Sequence, residues 1–361
     1  MKNVKRIAAA VLIVVMCLSA AACSKKGSAD AKEKYGSTVL KVFLPGEYIA
    51  DNLIPDFEKE FGVTVIPELF DSNEMMYTKF SAGETYDVLI PSDYMIERLI
   101  KEEQLQKLDH SLIPNMKNLA DEVKNAAYDS DNSYSVPYFW GTVGIVYNKN
   151  NVPLSELESK GWDIFRDSKY AGRAYFYDSE RDGFMIAAKQ LGYSANSSDE
   201  AEINAEYEWL LDMKAATDPV FVTDQVIDGM INGTKDLAVV YSGDAVTILS
   251  ENEDMGYYTP ASGTNRWYDA MVIPANAENP KLAHEFINFV LSDDISRDNT
   301  EAVCYASPNG NILDEMTAEG GEFEGNEAYY PRDYALDEIY HDDEKLRKTL
   351  SGLWIKVTAA H

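Results

Sequence analysis

From Val39 onward, short β-rich runs alternate with amphipathic helical stretches, and that alternation restricts the chain to layered α/β architecture. Val39–Leu44 is extended and β-rich. After Asp51, which suits an N-cap, Leu53, Ile54, Phe57 and Phe61 recur at helical spacing, and Gly62 follows as a stop. Val63–Ile66 and Tyr86–Pro91 read as further strands, and Asp93 as the cap of a helix carrying Met95, Ile96, Leu99 and Ile100. The pattern resumes after Tyr147. Arg173–Tyr177, Asp236–Tyr241 and Ala270–Pro274 read as strands, Glu206–Met213 and Lys281–Leu291 as helices, and Glu322–Tyr330 as an acidic surface loop.

With 361 residues, 45% of them hydrophobic, the chain has enough apolar material for about two domains with their own cores. Its 61 acidic against 32 basic residues give a net charge of −29. No basic stripe offsets that charge, so nucleic acid is an unsuitable partner. An acidic surface suits a small cationic solute, although solubility alone accounts for it equally well.

The N-terminus reads as an export signal. Lys2, Lys5 and Arg6 precede an uncharged run from Ile7 to Ala22, which is too short to span a bilayer. It ends in Ser19-Ala20-Ala21-Ala22 directly before Cys23. This resembles a bacterial lipobox, with Ala20 where Leu is usual, and implies cleavage after residue 22 and acylation of Cys23. Several acyl chains on one residue anchor stably. Residues 23–37 then form the anchor and a polar tether, expected to be flexible. Cys17 leaves with the signal, so Cys304 has no intramolecular partner and reads as a buried, inert thiol.

Motifs for catalysis, metals and nucleotides are sparse. The four histidines, His110, His284, His341 and His361, do not pair at ligand spacing, and no Cys-x-x-Cys occurs. Phosphate-binding and dinucleotide-binding glycine patterns are absent. Tyr241-Ser242-Gly243 lacks the upstream glycine of a nucleophile elbow. Asp129-Ser130-Asp131-Asn132 lacks the central Gly and closing Glu of a calcium loop. No cofactor is expected, and nothing in these residues demands an enzyme.

A series of short motifs carries a family resemblance. In order they are Glu47-Tyr48, Asp71-Ser72-Asn73-Glu74-Met75, Tyr86-Asp87-Val88 and Pro91-Ser92-Asp93-Tyr94, then Pro137-Tyr138-Phe139-Trp140-Gly141 and Leu191-Gly192-Tyr193-Ser194. Trp267-Tyr268-Asp269 with Ile273-Pro274-Ala275-Asn276-Ala277, and Tyr305 to Asn309, complete the series. With these motifs in this order, nearly the whole chain after Val39 resembles the substrate-binding lipoproteins of bacterial spermidine/putrescine ABC importers. The resemblance implies a type II periplasmic-binding fold: two α/β lobes joined by crossover strands near Thr142–Tyr147 and Asp269–Ile273, with a ligand cleft between. Lobe 1 would comprise 38–143 and 271–312, and lobe 2 144–270 and 313–361. The protein would be a monomer, held at the membrane through Cys23, that delivers its ligand to an ABC permease.

A polyamine is an alkyl chain with two or more ammonium groups, so its site needs carboxylates, aromatic walls and cation–π faces. By resemblance, Asp269, Asp182 and Glu47 would pair with ammonium groups. Trp267, Tyr94, Tyr48, Tyr241 and Tyr305 would wall the alkyl chain, and Ser92 and Thr223 would hydrogen-bond near a terminal amine. Asp182 suits a helix cap as well, and Trp140 reads as interdomain core. Three positions depart from the family: Pro45 replaces an aromatic, Ser179 an acid, and His341 a glutamine. The ligand is therefore expected to be putrescine, spermidine or another small cation. Alternatives are ferric iron on the Tyr257-Tyr258 and Tyr329-Tyr330 phenols, or a secreted enzyme or sensor domain on the same two lobes.

Overall fold

The computed structural model describes residues 29–46, 48–330, 332 and 334–360. In the first half of the chain, β1 (Val39–Pro45) pairs in parallel with β2 (Thr64–Phe70) and β3 (Val88–Leu89), with helices Leu53–Phe61 and Asn73–Ser81 as the crossovers. Next comes β4 (Ser135–Asn148), buried along its length except at Asn148. The second region builds β5 (Ala174–Tyr177), β6 (Val220–Val222), β7 (Leu237–Tyr241) and β8 (Met255–Tyr258), and β9 (Arg266–Val272) returns to the first. The sheet runs β2-β1-β3-β9-β4-β7-β5-β6, with β8 also on β4. The result is an α/β protein of two lobes.

The two lobes share β4. Residues Ser135 to Thr142 pair antiparallel with β9, whereas Val143 to Tyr147 pair with β7, so the strand changes partner between Thr142 and Val143. A fully buried strand reads as a continuous apolar run, which is why Val143-Gly144-Ile145-Val146 shows no alternation. Gly141 sits at the change of partner because nothing larger fits: a Cβ there would lie 2.6 Å from the Trp267 ring.

Several boundaries differ from the sequence pattern. The strand expected over Tyr86–Pro91 is regular over Val88–Leu89, with Asp87 and Ile90 donating to β1 on either side, and the helix expected over Glu206–Met213 extends over Glu200–Thr217. Asn52, not Asp51, precedes the first of these helices. Ser92 is the N-cap ahead of Asp93, whose side chain is fully buried. The loop 322–330 is not wholly superficial, since Phe323, Ala328 and Tyr329 are buried. Helix Gly310–Thr317 runs unbroken through the boundary expected at 312/313. Its Glu315 pairs with Arg297 of helix Asp293–Val303 at 2.8 Å. Cys304 is half-buried and ends that helix in the left-handed region.

Residues 29–35, which composition places in the tether, are helical and docked on lobe 1. Ala31 and Tyr35 are buried, the Tyr35 ring meets Phe61 edge-on, and the Tyr35 hydroxyl donates to Glu285 at 2.9 Å. At the other end of the chain, helix Glu344–Thr358 folds back onto helix Glu180–Leu191 in lobe 2. Its Trp354 ring lies against Gly183, where a Cβ would come within 2.3 Å, and its indole N–H donates to Asp178 at 2.9 Å.

Candidate functional site

The strand ends of both lobes converge on one cleft, where α/β folds form their binding crevices. Trp267 and Asp269 are two apart on β9, so both project from the same face. Asp269 is 9% exposed. Its Oδ2 accepts the Tyr48 hydroxyl at 2.7 Å, while Oδ1 is buried without a hydrogen-bond partner. Burial pushes the Asp269 carboxyl up to about 6, against the lowering effect of the Ser92 and Tyr48 hydroxyls. The Trp267 indole N–H is likewise buried and unpartnered. A buried polar atom left unpaired costs about 1–3 kcal/mol, so the Asp269 oxygen calls for a donor and the Trp267 N–H for an acceptor.

Aromatic rings line that corner. The Tyr48 ring lies 5.5, 5.4 and 5.7 Å from Tyr138, Phe139 and Tyr305. Trp267 meets Tyr305 at 5.1 Å and Tyr241 at 6.1 Å, both edge-on. The Tyr305 hydroxyl donates to Asp244 Oδ1 at 2.9 Å, and burial pushes Asp244 up to about 7. Behind Asp269, the fully buried Asp93 accepts the backbone N–H groups of Tyr94 and Tyr268. Burial raises it to about 8, even though both hydrogen bonds favour its ionised form. Asn73 fixes Ser92 twice, donating to its hydroxyl and accepting its N–H, both at 3.0 Å.

The lobe 2 carboxylate differs. Asp182 stands in the first turn of helix Glu180–Leu191, where Ser179, not Asp182, is the N-cap. Asp182 accepts the Tyr241 hydroxyl at 2.7 Å and the Tyr340 hydroxyl at 2.8 Å, one on each oxygen. Tyr94 donates to Glu74 at 3.1 Å, and its ring carries the Arg181 guanidinium at 4.3 Å.

The lobes are closed on one another. Tyr305 reaches Asp244, Arg181 reaches Tyr94, and the Asp342 N–H donates to Glu97 at 2.8 Å. His341 joins this rim, with Nδ1 3.3 Å from Glu97.

Eight of the residues singled out in the sequence thus meet in one cleft: Asp269, Trp267, Tyr48, Ser92, Tyr94, Tyr241, Tyr305 and Asp182. Thr223 does not join them. It is exposed, and its hydroxyl and N–H both turn to Gln225 at 3.2 Å. Glu47 and Cys23 lie outside the described residues. Sequence reasoning passed over Asp244, Asp93, Asn73, Arg181 and Tyr340. Asp244 had a readable signal, lying one helical turn beyond Tyr241 at the end of β7.

The phenols considered for iron have other partners. Tyr257 bonds to Thr142, Tyr330 donates to Glu122, and Tyr329 accepts the Ser307 N–H. Among the described residues no group of three or more His, Cys, Asp or Glu side chains is placed to hold a metal ion. Trp140 is fully buried and stacked on Tyr268.

The chain is similar to proteins of known kind. It is 33% identical over 265 residues to the spermidine/putrescine-binding periplasmic protein of Salmonella typhimurium, covering 73% of this chain and 75% of that protein. It is 30% identical over 356 residues to the putrescine-binding periplasmic protein SpuD of Pseudomonas aeruginosa, covering 92% and 95%. Among solved structures, a putative spermidine/putrescine ABC transporter protein from Listeria monocytogenes superposes with a TM-score of 0.80 at 35% identity, covering 90% of this chain and all of that one. The substrate-binding protein PotD from Streptococcus pneumoniae gives 0.76 at 33%, covering 90% and 99%. These neighbours have the type II periplasmic-binding fold, and the family model for bacterial extracellular solute-binding proteins matches residues 52–324. The chain belongs to the bacterial extracellular solute-binding proteins, and it is a binding protein, not an enzyme.

Proposed function

We propose that this protein captures a polyamine, putrescine or spermidine, in the cleft between its lobes and delivers it to the permease of an ABC importer. The observation that carries this reading is the unpaired Oδ1 of Asp269, a buried acceptor without a donor inside an aromatic box of Tyr48, Trp267 and Tyr305. An ammonium group supplies what is missing: a positive charge, several N–H donors, and a fit to ring faces. Alkyl methylenes would lie along Tyr241 and Trp267. The names of the relatives support the same ligand class. The lipobox-like sequence before Cys23 supports attachment to the membrane through an acylated cysteine, and no described helix is long and apolar enough to cross it. Glu47 would add a further acid for an ammonium group, and lobe 2 would run from residue 144 to about 265 together with the C-terminal helix. The protein would act as a monomer.

The test is calorimetric titration of putrescine and spermidine into protein expressed from residue 23 onward, with Cys23 replaced. One-to-one binding at micromolar or below, about −8 kcal/mol or better, is the expected result. A folded sample that gives no binding with either ligand would refute the reading.

A further inference from the structure

At the Asp182 end, the cleft already contains a cation. Arg181 projects from the first turn of helix Glu180–Leu191, with Nη2 donating to the His341 carbonyl at 3.0 Å. Its guanidinium lies between two aromatic faces, 4.3 Å from the Tyr94 ring of lobe 1 and 4.4 Å from the Tyr340 ring of lobe 2. Carboxylates surround this cage. Glu74 holds the Tyr94 hydroxyl at 3.1 Å, and Asp182 holds the Tyr340 hydroxyl at 2.8 Å. Glu180 is raised by burial and by the charges of Glu74 and Asp182, while Arg181 opposes that rise. Two tyrosine faces rimmed by acids are the chemistry that receives an organic ammonium ion, and here a side chain occupies it.

The Asp269 end is built otherwise. Asp269 faces the Tyr48 and Ser92 hydroxyls and Asp244 the Tyr305 hydroxyl, and neither pairs with a Lys or Arg among the described residues. Asp269, buried, and Asp244, half-buried, have no countercation, which leaves two ligand charges to be matched.

We propose that Arg181 is a tethered stand-in for a third ammonium group, so that the cleft selects a diamine over a triamine. This rests on the polyamine reading and adds the length and charge of the ligand to it. A triamine must either displace the guanidinium from its cage or hold its third charge against it. A diamine satisfies Asp269 and Asp244 and leaves the cage closed.

The experiment titrates putrescine and spermidine into the parent, Arg181→Gln and Arg181→Lys. The parent is expected to bind putrescine at least about tenfold more tightly than spermidine. Arg181→Gln vacates the cage without charge and should shift that ratio at least about tenfold towards spermidine, whereas Arg181→Lys should keep the parent's preference. Arg181→Met provides a second neutral variant should Gln fail to fold. A ratio unchanged in the folded neutral variants, or a parent that already prefers spermidine, would overturn the assignment. Failure of both ligands to bind the folded parent is a separate outcome, which removes the polyamine reading and this inference with it.

Discussion

Asp269 and Asp182 are both buried carboxylates in the cleft, 9% and 3% exposed. By residue type they are equals, although in the sequence Asp182 suits a helix cap as well. In the fold, Asp182 has a phenol on each oxygen and a guanidinium beside it, while Asp269 has one oxygen filled and one empty. A buried acid becomes a binding group through the acceptor it has left over, not through its charge alone. The contrast also says where the free energy resides. Filling Asp269 removes an existing penalty, whereas a ligand at Asp182 only adds a second bond to an oxygen that already has one.

The widest expected separation between the two ends is in ligand affinity. Asp269→Ala removes the receiving charge and leaves a desolvated ammonium unpaired, costing on the order of 2–5 kcal/mol of binding by calorimetry. Asp182→Asn keeps an acceptor for one tyrosine hydroxyl and should cost about 1–2 kcal/mol, mostly through loosened Tyr241 and Tyr340. If Asp182→Asn weakens binding more than Asp269→Ala, the comparison is broken.

A pH series sharpens it. Binding an ammonium requires ionised Asp269 and Asp244, so affinity should fall as pH drops through about 7 and then about 6. The ligand-free fold responds in the opposite sense. Acids raised above their unfolded values favour folding when protonated, and that contribution is lost as pH rises through the folded values. Asp269→Asn should therefore flatten the rise in putrescine affinity between pH 5 and 7.

Glu206 offers a control outside the cleft. It is 3% exposed, its Oε1 has no partner, and burial followed by the charge of Glu202 raises it to about 8. Its protonation favours the fold below pH 4.5 and that benefit disappears as pH rises through about 8, so Glu206→Gln should raise stability at pH 8 by about 1–2 kcal/mol in urea unfolding and leave ligand affinity unchanged. Gly183→Ala should act on stability alone, lowering it by about 1–3 kcal/mol as the new methyl meets the Trp354 ring.

Legibility followed local periodicity. Val39–Leu44 and Asp236–Tyr241 declared themselves as strands because buried parallel strands concentrate Val, Leu and Ile. Trp267 and Asp269 were readable as one unit because two-residue spacing on a strand gives one face. Arg181 was not, since a cation in the first turn of a helix reads as a solvated side chain. Its cage comes from Tyr94 and Tyr340, far away on either side in the chain. Residues 29–35 looked like tether by composition, because only Ala31 and Tyr35 carry the apolar contact that docks them. Glu206 lies in a helix whose pattern was read, yet no pattern announces a carboxyl turned inward without a partner.

The change of partner along β4 has a consequence for how such a protein can be altered. Each lobe borrows part of its sheet from the same fourteen-residue strand, so neither can be lifted out as a cassette without leaving the other an open edge. Grafting a foreign lobe to change the cargo would have to cut through that ladder. Redesign of what this scaffold carries is therefore confined to side chains lining the cleft, with the backbone inherited whole.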